Sequence, residues 1–148
     1  MALDFATAMH NLAVMYSKGL GPEEEATDEA AFGLYERAAS KGDIDAMVNM
    51  GVMCADGRGT LRNERRACEL YSVAADSDDI CGLFNLGLMY QHGKGVPLDE
   101  EKAFSLFLRA ASLGDGDSQC KVRDSLCISL LSSPSLSLSP SLSLSLSL

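Results

Sequence analysis

The sequence predicts an all-α protein, a right-handed α-solenoid of about three stacked helix pairs with a disordered C-terminal tail. Two repeated phrases lead to this prediction. The first reads Ala-[Phe/Cys]-x-Leu-[Tyr/Phe]-x-x-Ala-Ala and begins at Ala31, Ala67 and Ala103. The second reads Asn-[Leu/Met]-[Ala/Gly]-[Val/Leu]-Met-[Tyr/Cys]-x-x-Gly-x-Gly and begins earlier in each unit, at Asn11, Asn49 and Asn85. A unit of about 36 residues that recurs three times is typical of stacked helix pairs.

The Asn phrase predicts the first helix of each unit. Its apolar residues lie four apart, as Leu86 and Tyr90 do, which places them on one side of a helix. Gly93 and Gly95 then supply the left-handed backbone conformations that a C-cap and a tight turn need. An acidic N-cap, such as Asp43, begins the next unit. The first helices are expected at Asp4 to Lys18, Asp43 to Ala55 and Asp79 to His92.

The Ala phrase predicts the second helix of each unit. Phe104 and Phe107 are three apart and form a bulky face, and the alanine pair follows one turn later. The second helices are expected at Asp28 to Lys41, Asn63 to Ala75 and Asp99 to Leu113. Small residues of the first helices should mark where the two helices of a unit cross, since they let the backbones approach closely. These small residues are Ala13, Gly51 and Gly87.

The third unit contains a longer pattern, Leu86-Gly87-x-x-Tyr90-x-x-Gly93-x-Gly95-Val96-x-x-Asp99-x-x-Lys102-Ala103, followed by Ala110-Ala111-x-x-Gly114. This pattern resembles the Sel-1-like repeat, with repeats at about 6–43, 44–79 and 80–115 in an array that ends near residue 117. The signature positions are Tyr16, Ala39, Gly51, Ala75, Gly87, Tyr90, Gly93, Gly95 and Ala111, while Cys54 replaces the tyrosine of the second unit. The resemblance implies a tetratricopeptide-like solenoid that acts as an adaptor between other proteins, and it brings no catalytic residue. We expect no cofactor.

One candidate binding surface lies along the first helices. Equivalent side chains of a solenoid form a row, so Asn11, Asn49 and Asn85 are expected to form a ladder of amides that binds the backbone of an extended peptide. The alternative is structural, with each asparagine hydrogen-bonded to a carbonyl of a neighbouring helix. Five further residues of these helices are candidates for the same groove or for ordinary packing: His10, Val14, Val52, Phe84 and Leu88.

The composition narrows the class of partner. The formal net charge of -9 argues against nucleic-acid binding, which needs clustered lysine and arginine. The N-terminus carries no basic region followed by an apolar run, and the sequence contains no stretch of about 18 apolar residues. We therefore expect a protein or peptide partner, no membrane association, and a cytoplasmic location by default.

The cysteines and histidines predict neither a metal site nor a complete disulfide framework. The five cysteines are odd in number and form no Cys-x-x-Cys pair, and His10 and His92 fit no zinc motif. Cys54 and Cys68 are interpreted as small core residues that replace tyrosine and phenylalanine. The resemblance adds that secreted, cysteine-rich members carry cysteine at the second position of the alanine pair, where this chain has alanine each time. The disulfide-stapled version of the repeat is therefore not expected.

The sequence after residue 117 has two parts. A fourth unit begins with Asp117-Ser118-Gln119 and departs from the pattern at Val122, where Leu-Gly-x-x-Tyr should follow. Residues 117–131 are therefore either a degenerate fourth repeat or capping helix, with Val122, Leu126 and Leu130 as its apolar stripe, or the translation of a retained intron. Residues 132–148 contain only serine, leucine and proline, a low-complexity pattern that predicts disorder and matches a translated TC microsatellite.

Three functional interpretations follow from the sequence. The first is a protein-interaction scaffold or adaptor that binds its partner on the concave helical surface. The second is a truncated repeat fragment without independent function. The third is a β-lactamase-like hydrolase, suggested only by the Ser-x-x-Lys motif at Ser118 and Lys121, without the Ser-Asp-Asn and Lys-Thr-Gly elements that this chemistry needs. The ends of a three-unit array also expose apolar surface, through which we expect self-association.

Overall fold

A computed structural model describes the fold of residues 2–114. This part of the chain forms six α-helices and contains no strand: α1 (Ala2–Ser17), α2 (Asp28–Ala39), α3 (Ile44–Asp56), α4 (Glu64–Asp76), α5 (Ile80–His92) and α6 (Glu100–Leu113). The fold class is therefore the predicted all-α solenoid of three helix pairs. The predicted capping helix, the predicted disordered tail and the Ser118/Lys121 motif lie outside the described residues.

The helix ends follow the capping chemistry of the sequence. Four predicted helices begin one residue later than expected, because the first predicted residue is the N-cap: Asp43, Asn63, Asp79 and Asp99. At α3, for example, the Ala46 N–H donates to Asp43 Oδ1 at 2.8 Å. The helix α1 begins two residues earlier than expected, and α2 ends two residues earlier because Gly42, with φ at 89°, already turns the chain toward α3.

The first helices of the second and third units each pack on two second helices. The helices α1, α3 and α5 each pack on the second helix of their own unit, and α3 and α5 also pack on the second helix of the unit before. The core runs along the array between these layers and includes alanines of the repeated phrase, among them Ala31, Ala38, Ala67 and Ala74. The burial of a first helix therefore depends on the unit before it as well as on its own.

The two helices of each unit cross at the predicted small residues. A Cβ atom placed on Gly51 would lie 2.6 Å from Cε1 of Tyr71, and one placed on Gly87 would lie 2.6 Å from Cε1 of Phe107. Both distances are too short for a real contact, so each glycine is required for the approach of the aromatic ring. Ala13, at the same position in the first unit, is fully buried. The predicted crossing points at Gly51 and Gly87 are therefore confirmed.

In the second and third units, the second glycine of the Gly-x-Gly has a role beyond ending the helix. Gly59 has a φ of 66°, and a Cβ placed on it would lie 2.2 Å from the carbonyl oxygen of Asp28. A Cβ on Gly95 would lie 2.5 Å from the carbonyl carbon of Glu64. Asp28 and Glu64 are the first residues of α2 and α4. Each glycine thus lets the loop of one unit press on the helix start of the unit before.

Ion pairs cross the same junctions between units. Arg58 Nη2 donates to Asp28 Oδ1 at 2.7 Å, and Arg109 Nε donates to Asp78 Oδ1 at 2.9 Å. Asp78 is a non-glycine residue with a positive φ, of 58°, a conformation that aspartate tolerates better than most residues. The side chains are partly exposed, so each pair contributes no more than about 1 kcal/mol to stability.

Candidate protein-binding surface

The three repeated asparagines occupy equivalent positions in different environments. Asn11 is exposed, Asn49 is half-buried, and Asn85 is only 7% exposed. Among the residues that the structure describes, no side-chain hydrogen bond engages any of the three, and the buried Nδ2 of Asn85 has no partner. The carbonyl hydrogen bonds of the structural alternative are therefore not made within this part of the chain. The amide row stays a prediction, with Asn11 and Asn49 as its accessible members.

Apolar residues accompany this row. Val14, Val52 and Leu88 each follow one of the asparagines by three residues, which places them on the same side of the helix, and all three are half-buried. Phe84 is buried instead, with its ring tilted on that of Phe107 at a centroid distance of 5.3 Å. Phe84 thus packs in the interior, which is the alternative that the sequence left open for it. The accessible apolar members of the row are the two valines and the leucine.

His10 lies at the junction between the first two units. Its Nδ1 is 3.6 Å from Oδ1 of Asp43, the N-cap of α3. Its ring also meets the ring of Tyr35 on α2 edge-on, at a centroid distance of 5.7 Å. The ring contact therefore joins α1 to α2 within the first unit, whereas the buried Nδ1 has no hydrogen-bond partner among the described residues. His92, by contrast, is exposed at the end of α5.

Gln91 is a further polar residue of α5, at a variable position of the Asn phrase. Its Oε1 is buried and has no hydrogen-bond partner in the described part of the chain. Gln91 follows Leu88 by three residues, so it extends the side of α5 that carries Asn85 and Leu88. The equivalent residues of the first two units are Ser17 and Ala55, and no repeated polar residue therefore pointed to this position.

The signature tyrosines stabilise their own units. The Tyr16 O–H donates to Glu25 Oε2 at 3.1 Å, and this hydrogen bond raises the pKa of Tyr16. Lys102 Nζ lies 4.4 Å from the centroid of the Tyr90 ring, a cation–π contact between α6 and α5. In each case the tyrosine joins the end of a first helix to the segment that follows it. These contacts indicate a structural role for the signature positions.

Two of the cysteines are free thiols in the core, as predicted. Cys54 and Cys68 are both buried, and burial raises the pKa of both thiols, that of Cys68 to about 11. Cys68 Sγ also donates to the carbonyl oxygen of Lys94 at 3.2 Å, which joins α4 to the loop of the third unit. Because the thiolate is the reactive form of cysteine, burial lowers the nucleophilic reactivity of both residues.

Cys81 differs from the two free thiols of the core. It lies in the first turn of α5 and is disulfide-bonded. Cysteine spacing along the chain did not predict this bond, because a disulfide requires proximity in space, which the spacing does not reveal.

The described side chains do not form a metal centre. Within residues 2–114, no three residues among His, Cys, Asp and Glu come together in a way that would hold an ion. The same range also contains no helix with the length and apolar character needed to cross a bilayer.

A stack of helix pairs in which each unit covers the first helix of the next is an α-solenoid, a class of repeat protein with extended binding surfaces. The family model of the Sel1 repeat matches three successive segments, residues 6–43, 44–79 and 82–115. The chain belongs to the Sel1 repeat family. Its members are helical repeat modules for protein–protein interaction and are generally not catalytic.

Several solved bacterial structures share this architecture. A Sel1 repeat protein from Oxalobacter formigenes is 29% identical, with a TM-score of 0.68 over 74% of this chain and 44% of that one. The protein c5321, described as a protective antigen of uropathogenic Escherichia coli strains with an SLR fold, is 28% identical, with a TM-score of 0.70 over 76% and 24% of the two chains. Cysteine rich protein B of Helicobacter pylori is similar in fold, at 23% identity and a TM-score of 0.59 over 78% and 88%.

This chain therefore spans less than half the length of the first two of these proteins. No curated protein sequence matches it significantly.

Proposed function

We propose that this chain is an interaction scaffold or adaptor that binds a protein or an extended peptide along α1, α3 and α5. The observation that carries the proposal is the row of three equivalent amides, none of them hydrogen-bonded within the described residues. A primary amide donates and accepts at once, so it matches both the N–H and the C=O of a peptide backbone. The apolar residue three positions later adds a contact for the partner's side chains.

The three asparagines of the amide row differ in exposure, so we expect them to contribute unequally to binding. Asn11 and Asn49 are open to a partner, whereas Asn85 is almost covered. We therefore expect the first two units to contribute most of the backbone recognition. The net charge of -9 favours a basic partner, because complementary charge speeds encounter and disfavours acidic competitors.

The test uses peptides selected on the wild-type chain from a random library displayed on phage. A synthetic copy of the selected peptide is titrated against the wild type and against Asn11→Ala/Asn49→Ala, with binding followed by fluorescence anisotropy. Loss of two net hydrogen bonds should weaken Kd by about 10- to 30-fold while the helical circular dichroism stays unchanged. Asn63→Ala is the matched control: it removes the N-cap of α4 and lowers stability by about 1 kcal/mol, but it leaves Kd unchanged.

A second measurement separates backbone recognition from side-chain recognition. The same peptide is synthesised with N-methyl groups at successive backbone positions, which removes N–H donors one at a time. At least two positions should lose affinity on the wild type and lose little on the double variant. Unchanged binding of the double variant, or its unfolding, would contradict the amide row.

The other two interpretations of the sequence lead to different results. A fragment without independent function would select no peptide from the library. A β-lactamase-like hydrolase would turn over a chromogenic cephalosporin and lose that activity in Ser118→Ala. No observation in the described part of the chain favours either one.

A further inference from the structure

The helix α1 exposes an apolar stripe. Phe5, Ala8, Leu12 and Met15 are all exposed, Leu12 to 38% and Met15 to 48%. Their spacing of three, four and three residues places them on one side of the helix. We call these four residues the open face of α1. Among the described helices, the main packing partner of α1 is α2, and this contact leaves the four residues exposed.

The same positions are covered in the other two units. Leu86 and Met89 on α5, the equivalents of Leu12 and Met15, are 7% and 6% exposed, and the equivalents on α3 are buried as well. The cover is the second helix of the unit before, α2 for α3 and α4 for α5. The difference in exposure therefore follows from the packing of a second helix, which the described residues provide for α3 and α5 but not for α1, and not from residue type.

The contact that covers α5 has a specific shape. A Cβ placed on Gly82 would lie 2.5 Å from Cβ of Ala74 and 2.9 Å from the backbone nitrogen of Ala75. The alanine pair of the second helix thus sits directly against the small residue at this position of the next first helix. Ala8 is the equivalent of Gly82 on α1. Ala8 already carries the Cβ that would lie too close at Gly82, so the nearer precedent for α1 is α3, whose equivalent residue, Ala46, is fully buried.

The helix α6 carries such a pair with one member free. Ala111 is exposed, whereas its equivalent on α4, Ala75, is buried. The aromatic residues Phe104 and Phe107 are only half-buried, although the corresponding residues of α2 are buried. The first and last helices of the described array thus expose the two halves of a junction that occurs twice inside the chain.

We propose that α6 of one copy docks on the open face of α1 of a second copy, so that the chain associates head to tail. The contact would continue the interfaces that α2 and α4 already make with the next unit. Because the two surfaces differ, one contact leaves a free α1 on one copy and a free α6 on the other. The association is therefore open-ended and extends beyond a dimer as concentration rises.

The junction between copies would be weaker than the junctions inside the chain. Arg58 of the second unit pairs with Asp28 at the start of α2. At the same two positions, a contact between copies would bring Leu20 to Glu100, which cannot form an ion pair. The net charge of -9 on each copy opposes the contact further at low salt. Association should therefore increase both with protein concentration and with salt.

The test is sedimentation equilibrium on the full chain, from about 1 to about 300 µM, with free thiols blocked to prevent intermolecular disulfides. The weight-average mass should rise from the monomer value of 15.7 kDa past the dimer value. Ala8→Gln/Leu12→Gln blocks the open face of α1, and Ala111→Gln blocks the alanine pair of α6. Both sets of residues are exposed, so the variants should fold, and each alone should remain monomeric.

Mixing the two blocked variants distinguishes head-to-tail contact from other modes. The α1 variant retains a free α6 and the α6 variant retains a free α1, so the mixture should form a 1:1 dimer that does not extend. Leu61→Gln, at a loop residue that is 88% exposed and off both faces, is the control and should associate like the wild type.

Three results would overturn the proposal. A wild-type chain that stays monomeric throughout would show that the open face of α1 does not take a second copy. Normal association of the α1 variant would place the contact elsewhere. Normal association of Ala111→Gln, together with loss in the α1 variant, would indicate a symmetric α1–α1 dimer.

Discussion

The helices α1 and α5 carry the same repeated phrase, and they differ in what surrounds it. Both place a leucine and a methionine three residues apart at the same repeat positions, Leu12 and Met15 in one, Leu86 and Met89 in the other. On α5 these residues are core, and on α1 they are surface. In this fold a residue's contribution to stability is thus set by its neighbouring unit as much as by its own type.

Substitutions at the contacts within a unit should lower the free energy of unfolding by similar amounts on α1 and α5. Gly87→Leu should lower the free energy of unfolding by about 3 kcal/mol, because the new side chain overlaps the Phe107 ring, and Ala13→Leu should have a similar effect in the first unit. Urea unfolding measures both. Gly33→Leu on α2 is the control, since a Cβ there meets nothing within 4 Å, and it should be neutral or stabilising. Comparable effects at Gly33 and Gly87 would mean that the crossing is not tightly packed.

Substitutions at the contacts between units should destabilise the fold more on α5 than on α1. Leu86→Ala should cost about 3 kcal/mol through the lost burial and the cavity, whereas Leu12→Ala should cost less than about 1 kcal/mol. Urea unfolding at a protein concentration near 1 µM keeps self-association from covering Leu12. Equal losses for the two leucines would show that the open face of α1 is covered in solution.

The contact between a loop and the preceding unit predicts that alanine substitution costs more stability at Gly59 than at Gly19. Gly59→Ala and Gly19→Ala introduce the same strain, since both residues have φ near 67°. Only at Gly59 does the new Cβ also meet the carbonyl oxygen of Asp28, while at Gly19 nothing lies within 4 Å. We expect a loss of about 1 kcal/mol at Gly19 and about 2 to 3 kcal/mol at Gly59, measured as the shift in urea midpoint. An equal loss at both would argue that the loop does not press on α2.

The smallest predicted effect concerns the buried thiols, which should resist alkylation in the native chain. With the pKa of Cys68 raised to about 11, less than about 1% of this thiol is thiolate at pH 8.5. Iodoacetamide should therefore label Cys54 and Cys68 slowly in the native chain and rapidly in urea, as read by mass spectrometry. The raised pKa also stabilises the fold below the unfolded-state pKa of the thiol, and this contribution is lost as pH rises toward 11. Rapid native labelling at pH 8.5 would contradict the burial.

The fold could be predicted from the sequence because its main determinants are local. Gly57 and Gly93 end helices where the Gly-x-Gly phrase requires a left-handed residue, and Asp43 and Asp79 cap the helices that follow. The helix crossings were also predictable, since Gly51 and Gly87 occur where two backbones must approach. Each of these features depends on one or two residues and their spacing.

The environment of the candidate surface could not be predicted in the same way. Three identical asparagines at one repeat position range from exposed to buried, because the neighbouring segments and not the residue decide their burial. The same holds for the burial of Phe84 and for the contact of Gly95 with Glu64. The disulfide at Cys81 likewise depends on proximity that the spacing of cysteines does not reveal.

The contacts of Gly59 and Gly95 have a consequence for how such proteins evolve. Each glycine meets the main chain of a helix start and not a particular side chain, so the fit does not depend on which residues the preceding unit carries. A gene encoding this array can gain or lose one whole segment of about 36 residues without a compensating substitution elsewhere. The gain or loss of part of a segment would move the glycine away from the helix start that it contacts. Array length in this lineage is therefore expected to change in whole-unit steps.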